Sequence, residues 1–230
     1  MHEILKNKKV IFFDVGYTLD APASGDWMFT DRFHALADER LNACAAEDIL
    51  RARKKGLDYL SANHLIRSEK EETGRFIRYF RIVSDELHLA LTDEEILSVA
   101  ADRTDNMENY VIYPDAKQVL QTLSRTHTLG IISDTWPSIE AQLRTLDIRQ
   151  YFSFTTYSFD LGVFKPDPRM YLDALSKCGC RAEETVFIDD TPANLEGAAR
   201  FGITPILIAA NPASDVDTPF LKIRSLTELI

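Results

Sequence analysis

Val10, Ile11, Phe12 and Phe13 run without alternation into Asp14. An unbroken apolar run that ends on a polar side chain is how a strand covered on both faces of a parallel sheet reads. It places Asp14 at the carboxyl end of a central strand, where doubly wound sheets do their chemistry. Residues 15–19 combine a glycine with Thr18, so a sharp turn is expected there, with Thr18 fixing the loop by hydrogen bonds. From about Trp27 to Asn109 the period changes. Phe29, Phe33, Leu36, Ala37 and Leu41 recur at helical spacing, as do Ile49, Leu50, Leu57 and Leu60, then Phe76, Ile77, Phe80 and Val83. Thr92 followed by Asp93, Glu94 and Glu95 predicts an N-cap with an acidic first turn. At Tyr113 short apolar runs and helical patterns begin to alternate, with Pro114 opening a helix. Predicted strands at 128–132, near 154–157, at 185–188 and at 204–208 are separated by helices around Leu143, from about Arg169 and around Asn194. Residues 211–219 are the loosest stretch. The pattern predicts an α/β fold, a Rossmann-like doubly wound parallel sheet made from residues 1–20 and 110–230, interrupted by an all-helical insert at 21–109.

Composition narrows the functional classes. The chain has 230 residues, 45% of them hydrophobic, and a formal net charge of -10. A nucleic-acid or anionic-membrane surface needs a basic face, so neither partner is expected. No stretch approaches the roughly 18 uninterrupted apolar residues of a membrane span, and the N-terminus does not read as a signal peptide, which makes a cytoplasmic location the default expectation. Cys44, Cys178 and Cys180 show neither zinc spacing nor a disulfide framework. The insert is rich in arginine, which ordinarily means a solvated helix face, with the alternative that a few of these charges face a bound anion, and the sequence does not reveal an oligomeric state.

In a parallel sheet with right-handed crossovers every carboxyl end lies on one edge. Asp14, Ser133 beside Asp134, the Asp189 and Asp190 pair, and Lys165 on an intervening loop are therefore expected to converge. Carboxylates held close together demand a cation, and an oxygen-only set without His or Cys favours magnesium. Such a set suits phosphoryl transfer: Asp14 attacks phosphorus, magnesium and Lys165 neutralise charge, and Ser133 with nearby backbone amides holds a phosphate oxygen.

The succession DVGYTL, IISDT, FKPDP and VFIDDTPAN resembles the four ordered motifs of the haloacid dehalogenase superfamily, and the helical insert is similar to that family's C1-type cap domain. The resemblance implies a magnesium-dependent hydrolase, a phosphatase of a small phosphorylated metabolite, with Asp14 as nucleophile and metal ligand. It further implies that Gly16 gives a backbone carbonyl and Asp190 a carboxylate to the metal, and that Ser133, Asp134 and Lys165 meet the phosphate. Thr18, Asp189 and Asn194 stand behind them.

One position departs from the family's phosphatase pattern. A second Asp usually stands two residues after the nucleophile as general acid and base, and here Gly16 occupies that place. Asp20, Asp26 or glutamates of the insert are possible substitutes. The departure leaves open a C–P or C–halogen hydrolase, the former needing a lysine such as Lys54, Lys55 or Lys70, and a catalytically weak ligand- or protein-binding member.

Overall fold

The computed structural model describes residues 2–230. Along the chain the strands are β1 (Val10–Phe13), β2 (Asp20–Pro22), β3 (Tyr110–Ile112), β4 (Thr128–Ser133), β5 (Phe152–Tyr157), β6 (Thr185–Asp189), β7 (Thr204–Ile208) and β8 (Leu221–Ile223). The helices are α1 (Asp31–Leu41), α2 (Ala46–Ala62), α3 (Glu69–Glu86), α4 (Asp93–Asp105), α5 (Ala116–Leu123), α6 (Ile139–Thr145), α7 (Ser158–Leu161), α8 (Pro168–Cys178) and α9 (Pro192–Ala199).

Six strands form a parallel sheet in the order β5-β4-β1-β6-β7-β8. The unbroken apolar run of β1 follows from its central place. Successive side chains point to opposite faces, and both faces are covered. Ile11 and Phe13 pack with Ile131, Ile188 and residues of α5 and α6, while Val10 and Phe12 pack with Phe187, Leu207 and residues of α8 and α9. The chain runs outward in one direction through β4 and β5 and in the other through β6, β7 and β8. The switch point, with its crevice, therefore lies at the carboxyl ends of β1, β4 and β6.

Helices α1 to α4 bury an apolar core of their own that includes Phe33, Phe76, Phe80, Val83 and Val99. The predicted cap at Thr92 is a full capping box: its hydroxyl accepts from the Glu95 amide at 3.2 Å and the Glu95 carboxylate accepts from the Thr92 amide at 2.7 Å. The chain enters and leaves this bundle through an antiparallel ribbon, β2 with β3, in which Asp20 faces Ile112. That ribbon and β8 are additional to the strands predicted from sequence, since three residues are too short to show a period. No helix among the described residues is long and apolar enough to cross a membrane.

Candidate active site

The ends of β1, β4 and β6 bring the predicted residues together. Lys165 is the hub. Its Nζ donates to Asp14 Oδ1 at 2.7 Å, to Asp189 Oδ2 at 2.7 Å and to the Ile132 carbonyl at 3.2 Å. The loop that carries it is tied to the end of β4, because Asp134 Oδ1 accepts from the Lys165 amide at 2.9 Å. Asp189 is fully buried and fixed from behind by the Thr191 amide at 2.7 Å and by Asn194 Nδ2 at 3.1 Å to each oxygen. Asp190 accepts from the Ser214 hydroxyl at 2.8 Å. Ser214 belongs to the stretch read from sequence as the loosest, and nothing in its composition signals this contact.

Charge balance explains what the cluster can hold. Burial raises the Asp14 carboxyl, Lys165 opposes that rise, and Asp189 and Asp190 add to it, for a net upward shift. Asp190 is raised by burial and then by its neighbour Asp189. Burial alone would lower the Lys165 ammonium, but Asp14, Asp189 and Asp134 outweigh it and keep the group charged. One oxygen each of Asp14, Asp189 and Asp190 lies within 4.8 Å of the others, Lys165 bonds two of these three carboxylates, and Asp14 Oδ2 receives no hydrogen bond among the described residues. An oxygen-only donor set with surplus negative charge fits a hard divalent cation such as magnesium.

These residues floor a cleft of about 590 Å³ between the sheet edge and the helical bundle, a size suited to a small molecule. Asp14, Gly16, Ser133, Asp134, Lys165, Asp190 and Asn194 all line it, as does Trp136. Thr18 does not. Its hydroxyl is buried without a partner, contrary to the hydrogen-bonding role expected for it. Main-chain bonds close that turn instead, with the amides of Thr18, Leu19 and Asp20 all meeting the Val15 carbonyl at 2.7 to 3.2 Å.

The insert side of the cleft holds residues that the sequence reading passed over. Trp27 lies against Gly16: a Cβ at that glycine would stand 3.0 Å from the indole Cζ2. Of the acids considered as substitutes for the missing one, Asp26 is committed to the Arg53 guanidinium and to the amides of Met28 and Phe29 at 2.8 and 3.0 Å. Despite its burial, those bonds hold its carboxyl below the usual value. Asp20 is fully buried, bonds Gln142 through Oδ2 and leaves Oδ1 unpartnered. Burial pushes it up to about 7, so among these acids it can carry a proton near neutrality.

Glu72 joins the bundle to the sheet layer. It is fully buried and accepts from Ser138, at 2.8 Å from the amide and 2.7 Å from the hydroxyl. Burial pushes its carboxyl up to about 7, against the opposing effects of Ser138 and Arg103. Because the folded value lies above the ordinary 4.5, the folded chain binds more protons than the unfolded chain between about pH 4.5 and 7, and stability falls as pH rises through that window. Glu72→Gln imitates the protonated acid. Urea unfolding is expected to find it more stable than the parent by up to about 3 kcal/mol above neutrality, with the gap closing towards acid; equal stabilities at every pH would contradict this.

Comparison with known proteins places this geometry. Residues 9–202 match the haloacid dehalogenase-like hydrolase profile. Over 122 residues the chain is 30% identical to (S)-2-haloacid dehalogenase 4A of Burkholderia cepacia, covering 51% of this chain and 53% of that one. Over 125 residues it is 26% identical to phosphoserine phosphatase of Thermus thermophilus, covering 52% and 50%. These matches span about half the length of the curated relatives. Among solved structures, a 2-haloacid dehalogenase from Pseudomonas syringae superposes with a TM-score of 0.65 at 26% identity over 96% of both chains. A HAD phosphatase from Thermococcus onnurineus gives 0.65 at 21% identity over 96% and 95%, a likeness of fold. With its Rossmann-like sheet and the family profile running through most of its length, the chain belongs to the haloacid dehalogenase-like hydrolases.

Proposed function

We propose that the chain is a magnesium-dependent phosphohydrolase of a small phosphorylated metabolite, with residues 1–20 and 110–230 as its core domain and 21–109 as a cap domain over the cleft. The supporting observation is the Asp189 and Asp190 pair beside Asp14. Attack on a phosphate dianion requires that nucleophile and substrate be screened from each other, whereas displacement of a halide from a neutral carbon does not.

In this reading Asp14 Oδ2 forms a bond to phosphorus while the bond to the leaving oxygen breaks, giving an acyl phosphate. Water then attacks that phosphorus and releases phosphate and the carboxylate. Lys165 and Ser133 hold phosphoryl oxygens, and Asp189, fixed by Asn194, keeps the lysine aimed. Asp14, the Gly16 carbonyl and Asp190 would hold the magnesium, which supplies charge neutralisation. A brief incubation with an aryl phosphate, quenched in acid, is expected to leave a phosphoryl group on the peptide that contains Asp14, detected by mass spectrometry. Recovery of only unmodified peptide during measurable turnover would refute the intermediate.

A C–halogen hydrolase is the second reading, and the observation in its favour is Gly16, which offers no carboxyl to protonate a leaving oxygen. A C–P hydrolase has less support, since Lys54 and Lys55 are paired on the surface with Asp58 and Glu86, Lys70 is exposed, and none of the three lines the cleft.

Restoring the missing acid tests the first reading further. Gly16→Asp must push aside an indole held against Tyr17, with ring centroids 5.1 Å apart. The single variant is therefore expected to gain little on an alkyl phosphate, while Gly16→Asp with Trp27→Ala is expected to exceed Trp27→Ala alone by about 10²-fold in kcat. Equal rates would mean that acid catalysis is already supplied.

A further inference from the structure

Three cations line the cleft, and two of them are spoken for. Lys165 is paired with Asp14 and Asp189, and Arg53 with Asp26. Arg103, on the last turn of α4, is not. It is 6% exposed, its guanidinium lies 5.0 Å from the Phe76 ring centroid and 5.6 Å from that of Tyr110, and Nη1 donates to the Tyr110 hydroxyl. Its Nε is buried with no partner, and among the described residues it forms no ion pair. Asp20 and Glu72 are the acids near enough to act on it through space, and their own bonds go to Gln142 and Ser138.

A buried guanidinium is costly unless its charge and its fork of donors are met. The Phe76 and Tyr110 rings near it offset part of that cost, which leaves an unpaired cation lining the cleft. Carboxylates and phosphates complement such a fork in two-point contact. We propose that Arg103 binds a second anionic group of the substrate, a carboxylate or a second phosphate, set apart from the phosphoryl group that meets Asp14. This rests on the phosphohydrolase reading for the other end of the ligand. It defines the substrate class as a phosphate ester with an anionic tail, which a cleft of about 590 Å³ can accommodate.

Calorimetry with unreactive probes in the presence of magnesium tests it: methylphosphonate, 3-phosphonopropionate, propane-1,3-bisphosphonate and propionate. The parent protein is expected to bind one of the two-headed phosphonates about 10-fold or more tightly than methylphosphonate, and which of the two is preferred distinguishes a carboxylate tail from a phosphate tail. Arg103→Met is expected to erase the preference and Arg103→Lys, which keeps the charge without the fork, to retain part of it. If Arg103→Met does not fold, as judged by its melting curve, Arg103→Lys alone decides. A preference that persists unchanged in the variants, or is missing from the parent, overturns the inference. Failure of the phosphohydrolase reading alone would look different: no methylphosphonate binding, with propionate still bound through Arg103. No binding of any probe overturns both.

Discussion

Asp14→Asn is expected to lower phosphate release from an aryl phosphate by about 10⁴-fold or more while leaving the fold at least as stable as the parent. Both halves follow from the same geometry. The carboxylate that would attack phosphorus is pressed against Asp189 and Asp190 with one lysine between them, and its proton affinity is raised above the ordinary value. A carboxyl with a raised folded value costs stability above its unfolded value, and an amide removes that cost. Without magnesium, the melting temperature of Asp14→Asn at neutral pH should equal or exceed that of the parent. Added magnesium should raise the parent's melting temperature more than the variant's, because one of the proposed ligands to the ion is gone. A variant that melts well below the parent would show that Asp14 is needed for folding rather than held in readiness for chemistry.

Lys165→Met is expected to have the opposite effect on stability and a similar one on activity. Its Nζ is the only cation bonded to Asp14 and Asp189 among the described residues, at 2.7 Å to each. Removing it leaves two buried carboxylates uncompensated, which costs about 3–5 kcal/mol. For a chain of this size that is a fall of roughly 6 to 20 °C in melting temperature. Lowering the pH should recover part of the loss, because the carboxylates are then free to take up protons. Adding Asp14→Asn to Lys165→Met should recover more stability than Asp14→Asn gains in the parent, so the two changes will not add. Strictly additive effects, or a lysine variant as stable as the parent, would show that the cluster is not the buried ion network described above.

The core of the site was legible because its signals are one-dimensional. An unbroken apolar run marks a covered strand, the polar residue that ends it marks the edge of the sheet, and parallel topology gathers those ends. Asp14, Ser133 and Asp190 come together on that logic, and Lys165 joins them from the loop before α8. Trp27 against Gly16 and Ser214 against Asp190 were not legible, since each is a meeting of loops whose approach no period records.

Arg103 and Glu72 are a different case, because their signal was present. Ile96, Val99, Ala100 and Arg103 follow the i, i+3, i+4, i+7 spacing of a buried helical stripe, and Glu72 precedes Phe76, Phe80 and Val83 on another. A charge on an apolar stripe is buried and must be answered from elsewhere in the molecule. Weighing the insert's arginines together, as a solvated face from which a few could meet an anion, averaged over that distinction.

Parallel assays for phosphate released from an aryl phosphate and halide released from a 2-haloacid, each with magnesium and after its removal by a chelator, test the central claim most directly. An aryl leaving group departs with little help from an acid, so Gly16 should hinder this reaction least. Phosphate release that needs magnesium, with no halide release, is the predicted result. Halide release that survives the chelator, without phosphate release, would contradict it.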